Sequence, residues 1–167
     1  PLGDTIISGV LRRDRSPYLV YGILQVPAGE QLRLESGVTL YFVPGRYGGV
    51  VVYGQLIADG TAEQPVRFLS AARRPNAWDW NRILVAGNGR SSLQNVEVAH
   101  ANFGIHVENS SLLLQKSVIR ANSLRGLYVR NSLVDVQDCR FENGHIIAVQ
   151  AAGLAEVNLV RTTIADN

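Results

Sequence analysis

Short apolar segments recur along this chain at a nearly constant spacing, and within each segment apolar and polar residues alternate. Alternation places successive side chains on opposite faces of a β-strand, so each segment predicts a half-buried strand. Three series share a step near 22 residues: Ile83-x-Val85, Ile105-x-Val107, Leu127-x-Val129 and Ile147-x-Val149; Val96, Ser117, Cys139 and Thr162; and Leu93, Leu114, Val136 and Leu159. The second half therefore predicts three strands per repeat.

The first half follows the same plan with less regular spacing. Turn residues such as Pro27-Ala28-Gly29 and Asp59-Gly60 separate its strands, and no helix-length segment shows apolar spacing of three and four. Its alternating pairs are Leu32-x-Leu34, Val38-x-Leu40, Val50-x-Val52, Leu56-x-Ala58 and Val66-x-Phe68.

A period near 22 residues with three strands predicts a chain that winds so that each strand lies parallel to its copy one coil later, about 4.8 Å away. Inward residues then stack into one continuous core. Asn109 and Asn131 each follow the last inward valine by two residues. We expect them to stack at one corner, where asparagine tolerates a left-handed backbone and its amide can bond along the stack.

Three segments resemble a known class of repeat: VPAGEQLRLESGVTLYFVPG, VVVYGQLIADGTAEQPVRFLS and SLQNVEVAHANFGIHVENSSLLLQKSVIRAN. They are similar to the right-handed parallel β-helix repeats of the pectin-lyase-like superfamily, over about residues 5–167. The resemblance implies an all-β, right-handed parallel β-helix of about five coils of three short strands. It implies no single function, because that superfamily includes lyases, hydrolases, epimerases, phage tailspikes, adhesins and animal cell-surface proteins.

Three regions are expected along the chain. Residues 1–3 (Pro-Leu-Gly) resemble the remnant of a cleavable expression tag, and residues 4–22 depart from the repeat and are interpreted as a lead-in that caps the first coil. Residues 23–167 form the coils. The repeat stops without a polar cap, so we expect a segment of a larger modular protein with neighbouring domains.

Composition narrows the function classes. Apolar residues make up 46% and charged residues 18%, which favours a folded domain, and the net charge of +2 gives no reason to expect nucleic acid. No apolar run has the length needed to insert into a bilayer. Cys139 is the single cysteine, so no internal disulfide can form, and we expect a small buried residue there.

A polysaccharide-cleaving site would need clustered acids, and the repeat disperses them. In the predicted stack, Glu97 has Val118 above it and then Arg140, while Asp135 points outward from a strand and Asp138 lies at a corner. Glycoside hydrolysis needs two carboxylates at a set separation, and Ca²⁺ needs six or more oxygens. Neither pattern is present, so no catalytic residue and no cofactor is predicted.

Two further motifs depart from known site patterns. Polygalacturonase-like hydrolases resemble one another in a Gly-His-Gly, but here His145 is followed by Ile146. His100, His106 and His145 occupy different places in their repeats, so no metal site is predicted.

Binding residues are predicted in two places. The repeat is interrupted between Phe68 and Ile83 by an insertion that holds both tryptophans, where aromatic and arginine side chains together suit sugars or acidic groups. Trp80 and Trp78 also fit a packing role. The second place is the outward row Leu84, His106, Tyr128 and Ala148, in which His106 and Tyr128 are expected in contact. The candidate ligand-binding residues are Arg73, Arg74, Trp78, Asp79, Trp80, Arg82, His106 and Tyr128.

Asn109-Ser110-Ser111 is an acceptor motif for N-glycosylation, which applies if the chain is a secreted eukaryotic protein.

These observations favour a non-catalytic β-helix scaffold or binding module of a secreted or cell-surface protein, of adhesion type. It would contact carbohydrate or protein through side loops and one outward face. Two alternatives stay open. One is a polysaccharide lyase or epimerase acting on acidic polysaccharide. The other is a structural module that self-associates end to end through its open β-helix ends.

Overall fold

The computed structural model describes residues 1–45, 47–144 and 146–166, and it is a parallel β-helix of three seven-stranded sheets. Each coil adds one strand to each sheet, and every strand pair between coils is parallel. The predicted fold class is confirmed. The predicted number of coils, about five, is too low, because the structure has seven.

The three sheets run along the helix axis. Sheet 1 contains β1 (Thr5–Ile6), β4 (Ile23–Val26), β7 (Gly49–Val52), β10 (Ile83–Ala86), β13 (Phe103–Glu108), β16 (Arg125–Arg130) and β19 (Ile147–Ala152). Sheet 2 contains β2 (Gly9–Leu11), β5 (Gln31–Leu34), β8 (Gln55–Asp59), β11 (Arg90–Gln94), β14 (Ser111–Gln115), β17 (Leu133–Gln137) and β20 (Glu156–Val160). Sheet 3 contains β3 (Tyr18–Val20), β6 (Thr39–Phe42), β9 (Val66–Ser70), β12 (Val96–Ala99), β15 (Val118–Arg120), β18 (Arg140–Glu142) and β21 (Thr163–Ala165). One turn of 3-10 helix spans Arg13–Arg15.

The extra coils come partly from the N-terminal stretch. Residues 4–22 supply β1, β2 and β3, each of which pairs with its counterpart in the second coil. The apolar repeat is weaker there because Thr5 and Gly9 take positions that Leu24 and Leu32 fill one coil later. The stretch is therefore the first coil, and its role in capping that end stays a prediction.

The 22-residue register is confirmed for Ile83, Ile105 and Leu127, which stack in adjacent coils. The predicted register is wrong in the last coil. Leu127 pairs with Val149, while Ile147 pairs with Arg125. The fourth member of the outward row that contains His106 is consequently Gln150 and not Ala148.

Left-handed corner residues turn the chain between sheets. After sheet 1, Gly87, Asn109, Asn131 and Gly153 have φ between 48° and 99°; after sheet 2, Asn95, Lys116, Asp138 and Arg161 have φ between 45° and 55°; after sheet 3, His100, Ala121, Asn143 and Asp166 have φ between 50° and 68°. The recurrence of this rare conformation at the same place in each of the last four coils keeps their corners superimposed.

The core is one apolar column inside the three sheets. It includes most of the predicted inward pairs of both halves, such as Leu32 and Leu34 in the second coil and Leu127 and Val129 in the sixth. The largest side chains in it are Trp80, Phe42, Phe68 and Phe141. This rigid column fixes which outward side chains become neighbours.

Candidate functional site

The predicted insertion between sheets 3 and 1 lies between Ser70, the end of β9, and Ile83, the start of β10. Trp80 at its end is fully buried. Its ring stacks on Phe42 with centroids 4.2 Å apart, and its indole Nε1 donates to the Ala99 carbonyl at 2.9 Å. Trp80 is therefore a core residue in this structure, and its position leaves no surface for a ligand.

Asp79 also has a structural environment. Its Oδ2 accepts hydrogen bonds from Ser70 Oγ at 2.5 Å and from the Asn76 backbone N–H at 3.0 Å. Both bonds lie within the insertion and its base. Asp79 therefore fixes the shape of the loop, as a side-chain acceptor at a turn commonly does.

Three predicted residues of the insertion remain at the surface. Arg73 and Arg74 are exposed, and the Trp78 side chain is 61% exposed. Trp78 lines a shallow depression with Ser123, which precedes β16 by two residues. The loop tip thus borders the edge of sheet 1 at which β16 begins.

The outward face of sheet 1 brings the other predicted residues together. His106 and Tyr128 are register neighbours, and their rings meet edge to face with centroids 4.8 Å apart. The predicted contact is confirmed. Arg82, which precedes β10, joins them because its Nη1 donates to His106 Nδ1 at 2.9 Å.

Two residues that the sequence did not single out complete this cluster. The guanidinium carbons of Arg82 and Arg125 each lie 5.3 Å from the centre of the Phe103 ring, and that of Arg125 lies 5.1 Å from the centre of the Tyr128 ring. Arg125 Nε also donates to Gln150 Oε1. We call Arg82, Phe103, His106, Arg125 and Tyr128 the arginine–aromatic cluster. Its two cations are held in place by cation–π contacts.

The hydrogen bond from Arg82 fixes the protonation state of His106. A guanidinium has donors only, so Nδ1 must be an unprotonated acceptor, and the neutral ring carries its proton on Nε2. Burial lowers the pKa of His106, and the charge of Arg82 lowers it further. Glu108, whose Oε2 is 3.7 Å from His106 Nε2, raises the pKa of His106 by less than burial and Arg82 lower it. The cluster therefore holds two positive charges around a neutral histidine.

Those two charges lack an acidic partner. Within residues 1–45, 47–144 and 146–166, no carboxylate lies at ion-pairing distance from Arg82 or Arg125. Other arginines of the described strands are paired, for example Arg33 with Asp59 at 2.5 Å and Arg130, at the other end of β16 from Arg125, with Glu108 at 3.4 Å. The arrangement can therefore attract and hold an anionic group from outside the chain.

The carboxylates of sheet 3 have a different environment. Glu97 accepts from Arg120 at 2.5 Å and lies 3.3 Å from Arg67, and Arg140 donates to Glu142 at 2.6 Å. These carboxylates are therefore engaged in ion pairs with arginine side chains of the same sheet.

A sequence profile described as the right handed beta helix region matches residues 81–167, slightly more than half of the chain. The chain belongs to the right-handed beta-helix family. It is also similar to Protein bark beetle of Drosophila melanogaster, with 34% identity over 74 residues, which is 44% of this chain and 2% of that protein. This chain thus spans a small fraction of the relative's length. No solved structure shows a significant match.

In this right-handed beta-helix chain, the predicted asparagine ladder is present. Asn131 Nδ2 donates to Asn109 Oδ1 at 3.5 Å, and Asn131 Oδ1 accepts from the Leu154 backbone N–H at 3.0 Å. Both asparagines have φ of 48°. The ladder joins three successive corners along the axis. Asn109 is exposed, and its glycosylation stays a prediction.

Cys139 and His100 lie outside the arginine–aromatic cluster. Cys139 is buried at the corner position that Ser117 holds one coil earlier, and burial raises the pKa of its thiol. His100 is a corner residue with φ of 68°, and burial lowers the pKa of its imidazole. His145 lies outside the described residues. Among those described, no three His, Cys, Asp or Glu side chains are grouped to hold a metal ion.

The part of the chain that the structure describes contains no helix long and apolar enough to pass through a bilayer.

Proposed function

We propose that this β-helix is a non-catalytic binding module of a secreted or cell-surface protein, and that it holds an acidic carbohydrate along the outward face of sheet 1. The observation that carries the proposal is the arginine–aromatic cluster. It presents two fixed guanidinium groups without carboxylate partners, on a surface where most other strand arginines are paired.

The shape of the face supports an elongated ligand. Val51, Leu84, His106, Tyr128 and Gln150 form one straight outward row that crosses five coils. Successive coils are about 4.8 Å apart, so the row is about 19 Å long. A linear polysaccharide can lie along such a row and present carboxylate or sulfate groups at a regular spacing.

The chemistry of the face favours carbohydrate over a protein partner. A protein interface is usually centred on a well-packed pocket that receives an aromatic or arginine anchor. Here the Phe103 ring is contacted by two guanidiniums, and the Tyr128 ring packs against His106 and Arg125. The face therefore offers fixed charges and ring edges, which suit bidentate recognition of anionic groups.

The insertion adjoins this surface. The exposed Trp78 side chain and Arg73 and Arg74 lie on the loop that leads into Arg82, and Trp78 faces Ser123 on the coil of Arg125. The Trp78 ring and the two arginines would extend the ligand site from the outward face of sheet 1 onto the insertion. This is the role that we propose for the loop.

The test is binding to a panel of immobilised glycans that contains a polyuronate, a sulfated glycosaminoglycan and neutral polysaccharides. A hydrogen bond to a charged group contributes about 1.5–3 kcal/mol, so Arg125→Gln should weaken acidic-glycan binding by about 10-fold to 150-fold. Arg90→Gln is the matched control. Arg90 is an exposed strand arginine on sheet 2, 3.6 Å from Asp135, and its loss should change affinity by less than about threefold.

The proposal fails if no acidic glycan binds, or if Arg90→Gln and Arg125→Gln weaken binding equally. Equal losses would mean that net charge, and not this cluster, attracts the ligand. Selective retention of an acidic protein would point to a protein partner in place of a glycan. Release of unsaturated uronate products from the polyuronate would favour the lyase alternative.

A further inference from the structure

A second concave surface lies at the corner between sheets 1 and 2, over the second, third and fourth coils. It is a groove of about 750 Å³. Three corners line it: residues 27–30, Tyr53 with Gly54, and residues 87–89, together with Gln25 and Gln55.

The groove exists because these corners differ in length. Four residues join β4 to β5, only two join β7 to β8, and three join β10 to β11. The short corner of the third coil therefore projects less far from the β-helix than the corners of the second and fourth coils. Tyr53 and Gly54 form the floor, and residues 27–30 and 87–89 form the walls.

Glycines let the corners that form this groove stack closely. A Cβ on Gly54 would meet the Glu30 carbonyl oxygen at 2.0 Å, and one on Gly89 would meet the Gly54 carbonyl oxygen at 2.2 Å. Only glycine permits the corners to approach this closely. Besides this backbone, a few side chains line the groove.

Those side chains define the chemistry of the groove. Tyr53 is 44% exposed and gives an aromatic surface, and Gln25, Gln55 and Asn88 supply amide donors and acceptors. The charged residue in the lining is Glu30, and no cation lines the groove. An aromatic ring beside amides suits a hydroxyl-rich ring, while the carboxylate disfavours an anionic one.

We propose that this corner groove is a binding site for a neutral saccharide, with Tyr53 as its stacking surface. The site does not depend on the acidic-glycan site proposed above. It shares no residue with the arginine–aromatic cluster, and its charge is of opposite sign. The two sites are therefore separable by ligand and by variant.

Titration of the complete chain with neutral oligosaccharides tests the proposal, with cello-, xylo-, manno- and N-acetylchito-oligosaccharides as probes and saturation-transfer NMR as the readout. We expect at least one probe to bind, with Tyr53→Ala weakening it by about tenfold or more and Tyr53→Phe by less than about threefold. Tyr21→Ala is the matched control, because Tyr21 is an exposed tyrosine, 59% accessible, outside the groove lining. It should leave affinity unchanged.

A second variant keeps the test decisive if Tyr53→Ala does not fold. Ala28→Glu places a larger side chain and a second carboxylate on the exposed wall of the groove, and it should also reduce binding. The inference is overturned if no neutral probe binds, if neither variant weakens binding, or if Tyr53 instead supports binding of acidic glycans. Arg125→Gln should not change neutral-saccharide binding, so failure here and failure at the acidic-glycan site give different results.

Discussion

The two tryptophans provide a matched pair, because Trp80 is fully buried and Trp78 is 61% exposed although they are two residues apart. Replacing a buried tryptophan with alanine costs about 3–5 kcal/mol from lost burial and the cavity that remains. Trp80→Ala also removes the ring stack on Phe42 and the hydrogen bond to the Ala99 carbonyl. We expect its free energy of unfolding to fall by at least about 3 kcal/mol, whereas Trp78→Ala should change it by less than about 0.5 kcal/mol.

Denaturant unfolding followed by circular dichroism measures both values without using tryptophan fluorescence, which the substitutions themselves would alter. Trp80→Phe is an internal control. It keeps an aromatic ring against Phe42 but loses the indole donor, so its cost should be intermediate, about 1–2 kcal/mol. Equal losses for Trp78→Ala and Trp80→Ala, or a larger loss for Trp78→Ala, would refute the placement of Trp80 in the core and of Trp78 at the surface.

Three further properties follow from buried or exposed side chains. Burial lowers the pKa values of His100 and His106 below the ordinary 6.5, so the unfolded chain binds protons at a higher pH than the folded chain does. The free energy of unfolding should therefore be unaffected by these histidines above pH 6.5 and should fall as the pH drops from 6.5 toward the folded pKa values. Denaturant titrations at several pH values measure this dependence, and His106→Gln should flatten it. The buried Cys139 thiol, with its raised pKa, should react with a thiol reagent only after denaturant is added, and rapid labelling of the native chain would contradict this. If the chain is passed through an animal secretory pathway, mass spectrometry should find one N-glycan, and Asn109→Gln should abolish it; a glycan that persists would place the acceptor elsewhere.

The fold was predictable from the sequence because stacking imposes the same inward positions on every coil. The series Leu93, Leu114, Val136 and Leu159 is a direct record of the register in sheet 2. The first coil was missed because its inward positions include Thr5 and Gly9, which do not alternate with polar residues as leucines do. The periodic pattern is visible where the inward positions are occupied by apolar residues.

The wrong register in the last coil has a general cause. Side chains alternate with a period of two, so a slip of one residue moves apolar side chains to the wrong face, while a slip of two leaves every side chain on its original face. Ile147, Val149 and Ala151 all fit the same face, and the sequence pattern alone could not decide which of them pairs with Leu127. In the structure, Leu127 pairs with Val149.

The candidate site was predictable only in part. The contact of His106 with Tyr128 follows directly from a 22-residue register, and so does the neighbouring pair Phe103 and Arg125, which the same count could have identified. The orientation of the Arg82 side chain cannot be predicted from the repeat, because it depends on how the long insertion returns to sheet 1. Similarly, the corner groove at Tyr53 results from differences in corner length that the apolar pattern does not record.

Coil-by-coil register decides which residues meet on every face, and disulfide trapping measures it directly. In a Cys139→Ser background, which copies Ser117 one coil earlier, the pair Tyr128→Cys and Gln150→Cys places two thiols at register positions about 4.8 Å apart, within disulfide range. The pair Tyr128→Cys and Ala148→Cys is offset by two residues and lies about 8 Å apart, beyond that range. Oxidation should link the first pair efficiently and the second poorly. Preferential linking of the second pair would contradict the register, and with it the surfaces proposed here.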